Sequence, residues 1–259
     1  FWETEFHELG HAQPFTNFPG EGEAEVNLLA AAVWNRKYGM DLDLAFGKSF
    51  LNLAQISREQ AALDWMVTPN FRAGKPMDIS NTTKDEVRYQ HRGYAKYVEV
   101  AALFGWSALD KFYLQENLDF ITPVASDGLS EIDSRILKMS KAAGADLTPL
   151  IHFWGVQPVD GALLAKAMSA AGLKPSAAIY DRLVKYQSII PLDNAAFTAH
   201  AKVLLGKSVI TAGASPDYGE GWYFDWLPQY GVSHGKAAQV AMAMAMAGIL
   251  QKYFPGGRP

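Results

Sequence analysis

The chain has 259 residues, 49% hydrophobic and 19% charged, too apolar for a disordered protein and long enough for one large domain. Its 23 Lys and Arg against 27 Asp and Glu give a formal net charge of -4, without the basic excess of a dedicated nucleic-acid binder. The absence of cysteine excludes disulfides, thiolate metal sites, iron–sulfur clusters and a cysteine nucleophile within these residues.

The elements read in chain order as helices separated by Pro and Gly, with little strand signal, so the expected class is mainly α. A first helix runs from Glu3 to Gln13 and stops at Pro14. A second runs from Glu21 to Tyr38, with Val26, Ala30 and Val33 on one face, and ends at Gly39. Ser49 to Trp65 follows, as one helix or as two pieces with a short turn, and residues 68–82 read as a loop. A strong helix spans Thr83 to Phe104, capped by Thr82 or Thr83 and closed by Gly105. Helical patterns then cover Leu109 to Glu116, Ser130 to Ala143, Asp146 to Trp154, Gly161 to Ala171 and Pro175 to Gln187. Val209 to Pro228 reads as an irregular, aromatic-rich loop, and Lys236 to Phe254 as a terminal Ala/Met helix. Its apolar stretch, Ala237 to Leu250, is too short to span a bilayer, so no membrane segment is expected. The opening residue, Phe1, with no basic and apolar leader after it, is read as a mature product or a fragment.

The residues that carry chemistry are His7-Glu8-Leu9-Gly10-His11. On a helix, positions four apart share a face, so both imidazoles can bind one cation while Glu8 sits beside its open position. Zinc suits two nitrogen ligands, a third protein ligand and a water. Gly10 costs a helix roughly 1 kcal/mol relative to Ala, but lets another segment come close. The third ligand is not a His six residues after His11, because Asn17 stands there and Pro14 replaces the Gly that such a site places between. Glu21, Glu23 and Glu25 are the carboxylates within reach. Spacing favours Glu23, with Asn27 one turn further on the same face and able to orient a ligating His through a hydrogen bond. Glu21 lies close to the loop and Glu25 points to another side; an acidic first turn also suits the helix dipole without any metal.

Phe6-His7-Glu8-Leu9-Gly10-His11-Ala12-Gln13 followed by Gly22-Glu23-Ala24-Glu25-Val26-Asn27 resembles the enhancin-type, mucin-targeting zinc metallopeptidases, whose pattern is His-Glu-x-Gly-His and then Gly-Glu-x-x-x-Asn. Phe104-Gly105-Trp106, Ser140 through Asp146-Leu147-Thr148-Pro149, and Phe153-Trp154-Gly155 extend the likeness over about residues 1–158. Within the family the chain is most similar to the bacterial accessory colonization factor D type. The resemblance implies zinc held by His7, His11 and Glu23, with Glu8 as general acid/base. It implies the helical part of a zincin-like (gluzincin) domain whose β-sheet lies upstream of these residues. On that division, 1–158 is the helical catalytic subdomain, and 159–259 is a helical region packed on it, part of the same domain. The implied function is an endopeptidase acting on mucin-type O-glycoproteins, outside the cell or on a bacterial surface.

Two other readings stay open: a glycoprotein-binding adhesin module with a silent or structural zinc, and a zinc aminopeptidase, which would need an acidic anchor not evident here. Tyr89, His91 and Tyr94 are possible oxyanion donors but read better as structural residues. His152, His200 and His234 also read as structural. The aromatic stretch 215–231 could stack on sugars but reads better as a loop pinned to the core. Trp34, Trp65, Trp106 and Trp154 are expected in the core, and Met242, Met244 and Met246 on more than one helix face.

Overall fold

The computed structural model describes residues 2–12, 18, 21–48, 57–77, 93–122, 126–193, 195–196 and 228–259. Tyr89, His91, His200, the Thr82/Thr83 cap, the side chain of His234 and the 215–231 stretch up to Leu227 lie outside the described residues.

The helices are α1 (Trp2–Ala12), α2 (Gly22–Glu25), α3 (Asn27–Ala32), a π-helical turn (Val33–Lys37), α4 (Leu42–Gly47), α5 (Arg58–Val67) and α6 (Pro69–Arg72). They continue as α7 (Ala95–Phe104), α8 (Trp106–Ile121), α9 (Glu131–Ala143), α10 (Thr148–Phe153), α11 (Gly161–Ala170), α12 (Ala177–Ser188) and α13 (Pro228–Tyr253). The protein is mainly helical, and among the described residues the only β pairing is a single bridge between Asp146 and Pro175. Also among the described residues, no helix is long and apolar enough to cross a membrane.

Local chemistry sets the boundaries. Ser57 and Gln60 form a reciprocal capping box, so α5 begins at Arg58 rather than further upstream. Ser130 caps α9 by accepting from Asp133 N–H, and Gly144, at φ 72°, ends it in the left-handed conformation expected of its position. The single helix expected over 21–38 is interrupted at Val26 and widens into the π turn. The Asn27 side-chain amide donates to the carbonyls of Glu23 and Ala24. An uninterrupted helix would reserve those acceptors for the N–H groups of Asn27 and Leu28.

One hydrophobic cluster runs from Phe18 to Phe254, with Trp65, Trp154, Tyr97, Phe112 and Phe153 fully buried within it. The Phe153-Trp154-Gly155 corner is central. Phe153 O accepts from Trp65 Nε1 at 2.5 Å, and Gly155, at φ +84°, brings its backbone against Met77, whose N–H it accepts at 3.0 Å. Trp34 and Trp106 are only half-buried; Trp106 Nε1 donates to Asn35 Oδ1 (2.7 Å) at the edge of the fold. In α13, Met242 and Met246 face the core while Met244 is exposed, as their spacing requires.

His152 is a structural histidine, with Nδ1 2.7 Å from the Tyr253 hydroxyl. Burial, with Lys252 nearby, pushes it down to about 4. Its contribution to stability is therefore full above the unfolded value of about 6.5 and is lost progressively as pH falls to about 4. Urea unfolding of the wild type and of His152→Gln at pH 7.5 and 4.5 checks this: the wild type should lose about 2–3 kcal/mol more than the variant.

Candidate metal centre

α1 lies against α3, and the contact is intimate at one point. A Cβ on Gly10 would lie 2.7 Å from Val26 Cβ and 2.9 Å from Val26 O. Only glycine allows α1 to sit this close to the junction between α2 and α3. That closeness brings the two halves of the motif together.

His7 and His11, four apart on α1, turn their Nε2 atoms to within 3.2 Å of each other. Glu23 Oε2 lies 3.4 Å from His7 Nε2 and 3.5 Å from His11 Nε2. A tetrahedral ion with bonds of 2.0–2.1 Å has ligand atoms about 3.3 Å apart, so this triangle has the size zinc requires. The donor set of two nitrogens and one carboxylate oxygen fits the same ion. Side-chain exposure rises from 5% at His7 to 36% at His11 and 56% at Glu23, so one side of the triangle faces solvent.

Asn27 fixes the chemistry of His7. Its Nδ2 is committed to the Glu23 and Ala24 carbonyls, which leaves Oδ1 facing His7 Nδ1 at 3.2 Å. Oδ1 can only accept, so Nδ1 carries the proton and Nε2 presents a lone pair to the centre of the triangle. In Asn27→Ala, affinity for zinc should fall about 10–100-fold, measured by competition with a chromophoric chelator.

The expected ligands His7, His11 and Glu23 thus come together, and Asn27 meets His7 as its spacing implied. Glu8 is exposed on α1 and lies outside the triangle. Tyr94 is buried with its hydroxyl donated to Phe46 O at 2.9 Å, a structural bond that takes it out of the site.

The other two candidate carboxylates turn inward. Glu21 pairs with Lys96 Nζ and accepts from the Tyr97 hydroxyl at 2.9 Å. Burial pushes its carboxyl up, against the opposing pull of Lys96 and Tyr97. Glu25 accepts from the Tyr113 hydroxyl at 2.5 Å, and burial pushes it up to about 8, which makes it a neutral acid at pH 7. Among the described residues its Oε2 has no hydrogen-bond partner, an arrangement far less costly for a neutral carboxyl than for a carboxylate. Lys96, Tyr97 and Tyr113 escape notice in the sequence. The available signal is Lys96 and Glu99 as lone charges inside the otherwise apolar run Tyr94–Phe104, since charges on such a helix are buried and must be paired.

No protein-family model, no curated protein and no solved structure matches the chain.

Proposed function

We propose that this chain is a zinc-dependent endopeptidase that cleaves mucin-type O-glycoproteins, acting outside the cell or at a bacterial surface. The observation that supports it most is the convergence of His7 Nε2, His11 Nε2 and Glu23 Oε2 to within 3.5 Å of one another, with the tautomer of His7 set by Asn27. The substrate class rests on the likeness of residues 6–13 and 22–27 to the enhancin-type peptidases. In the same reading, these helices are the helical part of a zincin-like domain.

His7, His11 and Glu23 would hold the ion. Zinc, when bound, supplies Lewis acidity toward water and toward the scissile carbonyl. The Glu8 carboxylate accepts a proton from the attacking water and delivers it to the nitrogen of the leaving amine. His7 keeps its Nδ1 proton on Asn27 throughout, so its Nε2 remains a ligand atom.

The test is to measure the zinc content of the full chain. The chain is then incubated with a mucin-type glycoprotein, with and without chelator, and the fragment ends are mapped by mass. About one equivalent of zinc and internal cleavage abolished by chelator are expected. Cleavage that survives chelation removes zinc from the mechanism. Bound zinc with no cleavage favours the adhesin reading, and stepwise trimming from one end favours an aminopeptidase.

A further inference from the structure

We infer that the two buried carboxylates flanking Glu23 form a two-point clamp that aims it at the histidines, which makes Lys96, Tyr97 and Tyr113 positioning residues of the metal centre. The inference rests on the zinc reading above and deepens it.

α2 is four residues long and its N-cap residue, Glu21, makes no side-chain cap bond. One helical turn does not hold itself in water, because nucleation is unfavourable. Glu23 is more than half exposed and carries a flexible side chain. Something outside α2 must therefore fix the direction in which Glu23 points.

Helical phase provides the means. Residues 21 and 25 are four apart and share a face, whereas residue 23 lies about 200° from each at 100° per residue. The shared face is turned to the pair α7 and α8, where Glu21 meets Lys96 and Tyr97, and Glu25 meets Tyr113. Glu21, Glu25, Lys96 and Tyr97 are buried and Tyr113 is half-buried, and Lys96 Nζ is further tied to Gly93 O. With 21 and 25 pinned on one side, Glu23 is left facing α1 on the other. The three glutamates are chemically alike but divide into two anchors and one ligand.

A buried carboxylate bonded to a tyrosine hydroxyl also occurs elsewhere: Tyr186 donates to Glu99, whose other partners are Arg58 and Arg182. Tyr186→Phe is therefore a control that removes a tyrosine hydroxyl from a buried glutamate without touching α2. Lys96→Ala strands the Glu21 carboxylate in the core and is expected not to fold, so the hydroxyl deletions carry the test.

Zinc affinity of the full chain is measured by chelator competition, and the visible spectrum is recorded after substitution with Co2+. Apo thermal midpoints are taken alongside. Tyr97→Phe and Tyr113→Phe should each weaken zinc binding about tenfold and alter the cobalt spectrum, while Tyr186→Phe, at a comparable loss of thermal midpoint, should leave both unchanged. Glu25→Gln keeps a side-chain carbonyl for Tyr113 and should retain affinity within about twofold, whereas Glu25→Ala should lose it as Tyr113→Phe does. If the wild type binds zinc and the Tyr97 and Tyr113 variants bind it equally well, or if Tyr186→Phe loses as much, the clamp is overturned and the metal reading stands. If the wild type binds no zinc, both fall.

Discussion

Glu8→Gln is expected to leave zinc bound at wild-type stoichiometry and to lower peptide hydrolysis by roughly 10²–10⁴-fold. The carboxylate is not one of the three groups that converge, so removing its charge does not remove a ligand. It is exposed on α1, and the amide is nearly isosteric, so stability should change by no more than about 0.5 kcal/mol. What the amide cannot do is take up a proton and release it again. Metal analysis, thermal unfolding and a fragment-mapping assay on the same preparation separate these effects. Retained hydrolysis with retained zinc would remove Glu8 from the proton transfer. Loss of zinc would make it a ligand or a support for one.

Gly10→Ala should weaken zinc binding by about tenfold or more and destabilise the protein, although alanine is the better helix former. Two opposing effects set the sign. Helix propensity favours the substitution by about 1 kcal/mol. Against it, the new methyl would sit 2.7 Å from Val26 Cβ, 2.9 Å from Val26 O and 3.0 Å from Val26 Cα. Overpacking of this kind costs about 1–3 kcal/mol, and two of the three clashing atoms are backbone, which cannot swing aside. α1 must then move away from Val26, carrying His7 and His11 with it and widening their distance from Glu23. Val26→Ala should not rescue the variant, because the Cβ, Cα and carbonyl oxygen all remain. Chelator competition and thermal midpoints on the single and double variants check the argument. A more stable Gly10→Ala protein with unchanged affinity would show that α1 does not need this close approach.

The convergence of His7, His11 and Glu23 was legible because its grammar is local. Two imidazoles four apart on a helix declare a shared face, and Glu23 follows His11 by only twelve positions. Asn27 was legible for the same reason. What decides among Glu21, Glu23 and Glu25 is not local. Glu21 is claimed by residues 75 and 76 positions away, and Glu25 by one 88 away. Periodicity reports that a face exists but not which helix will cover it. The Ser57–Gln60 box is a readable start signal that a longer run from Ser49 obscured. The break at Val26 depends on a side-chain amide competing for carbonyls, which pattern alone does not reveal. Trp106 carries a polar N–H and uses it at the rim to reach Asn35, so bulk alone misplaces it.

The widened turn at Val33–Lys37 accommodates one residue more than ordinary winding would over the same rise. Deleting a single residue there would let the segment wind regularly over about the same rise, leaving its two flanks in nearly the same phase. The contacts made from within the widened turn are the ones at stake: Asn35 accepts from Trp106, and Arg36 grips Asp110 with two bonds at 2.8 and 3.1 Å. The surplus residue thus reshapes one turn without resetting what flanks it, and its consequence is local to those two contacts at the rim.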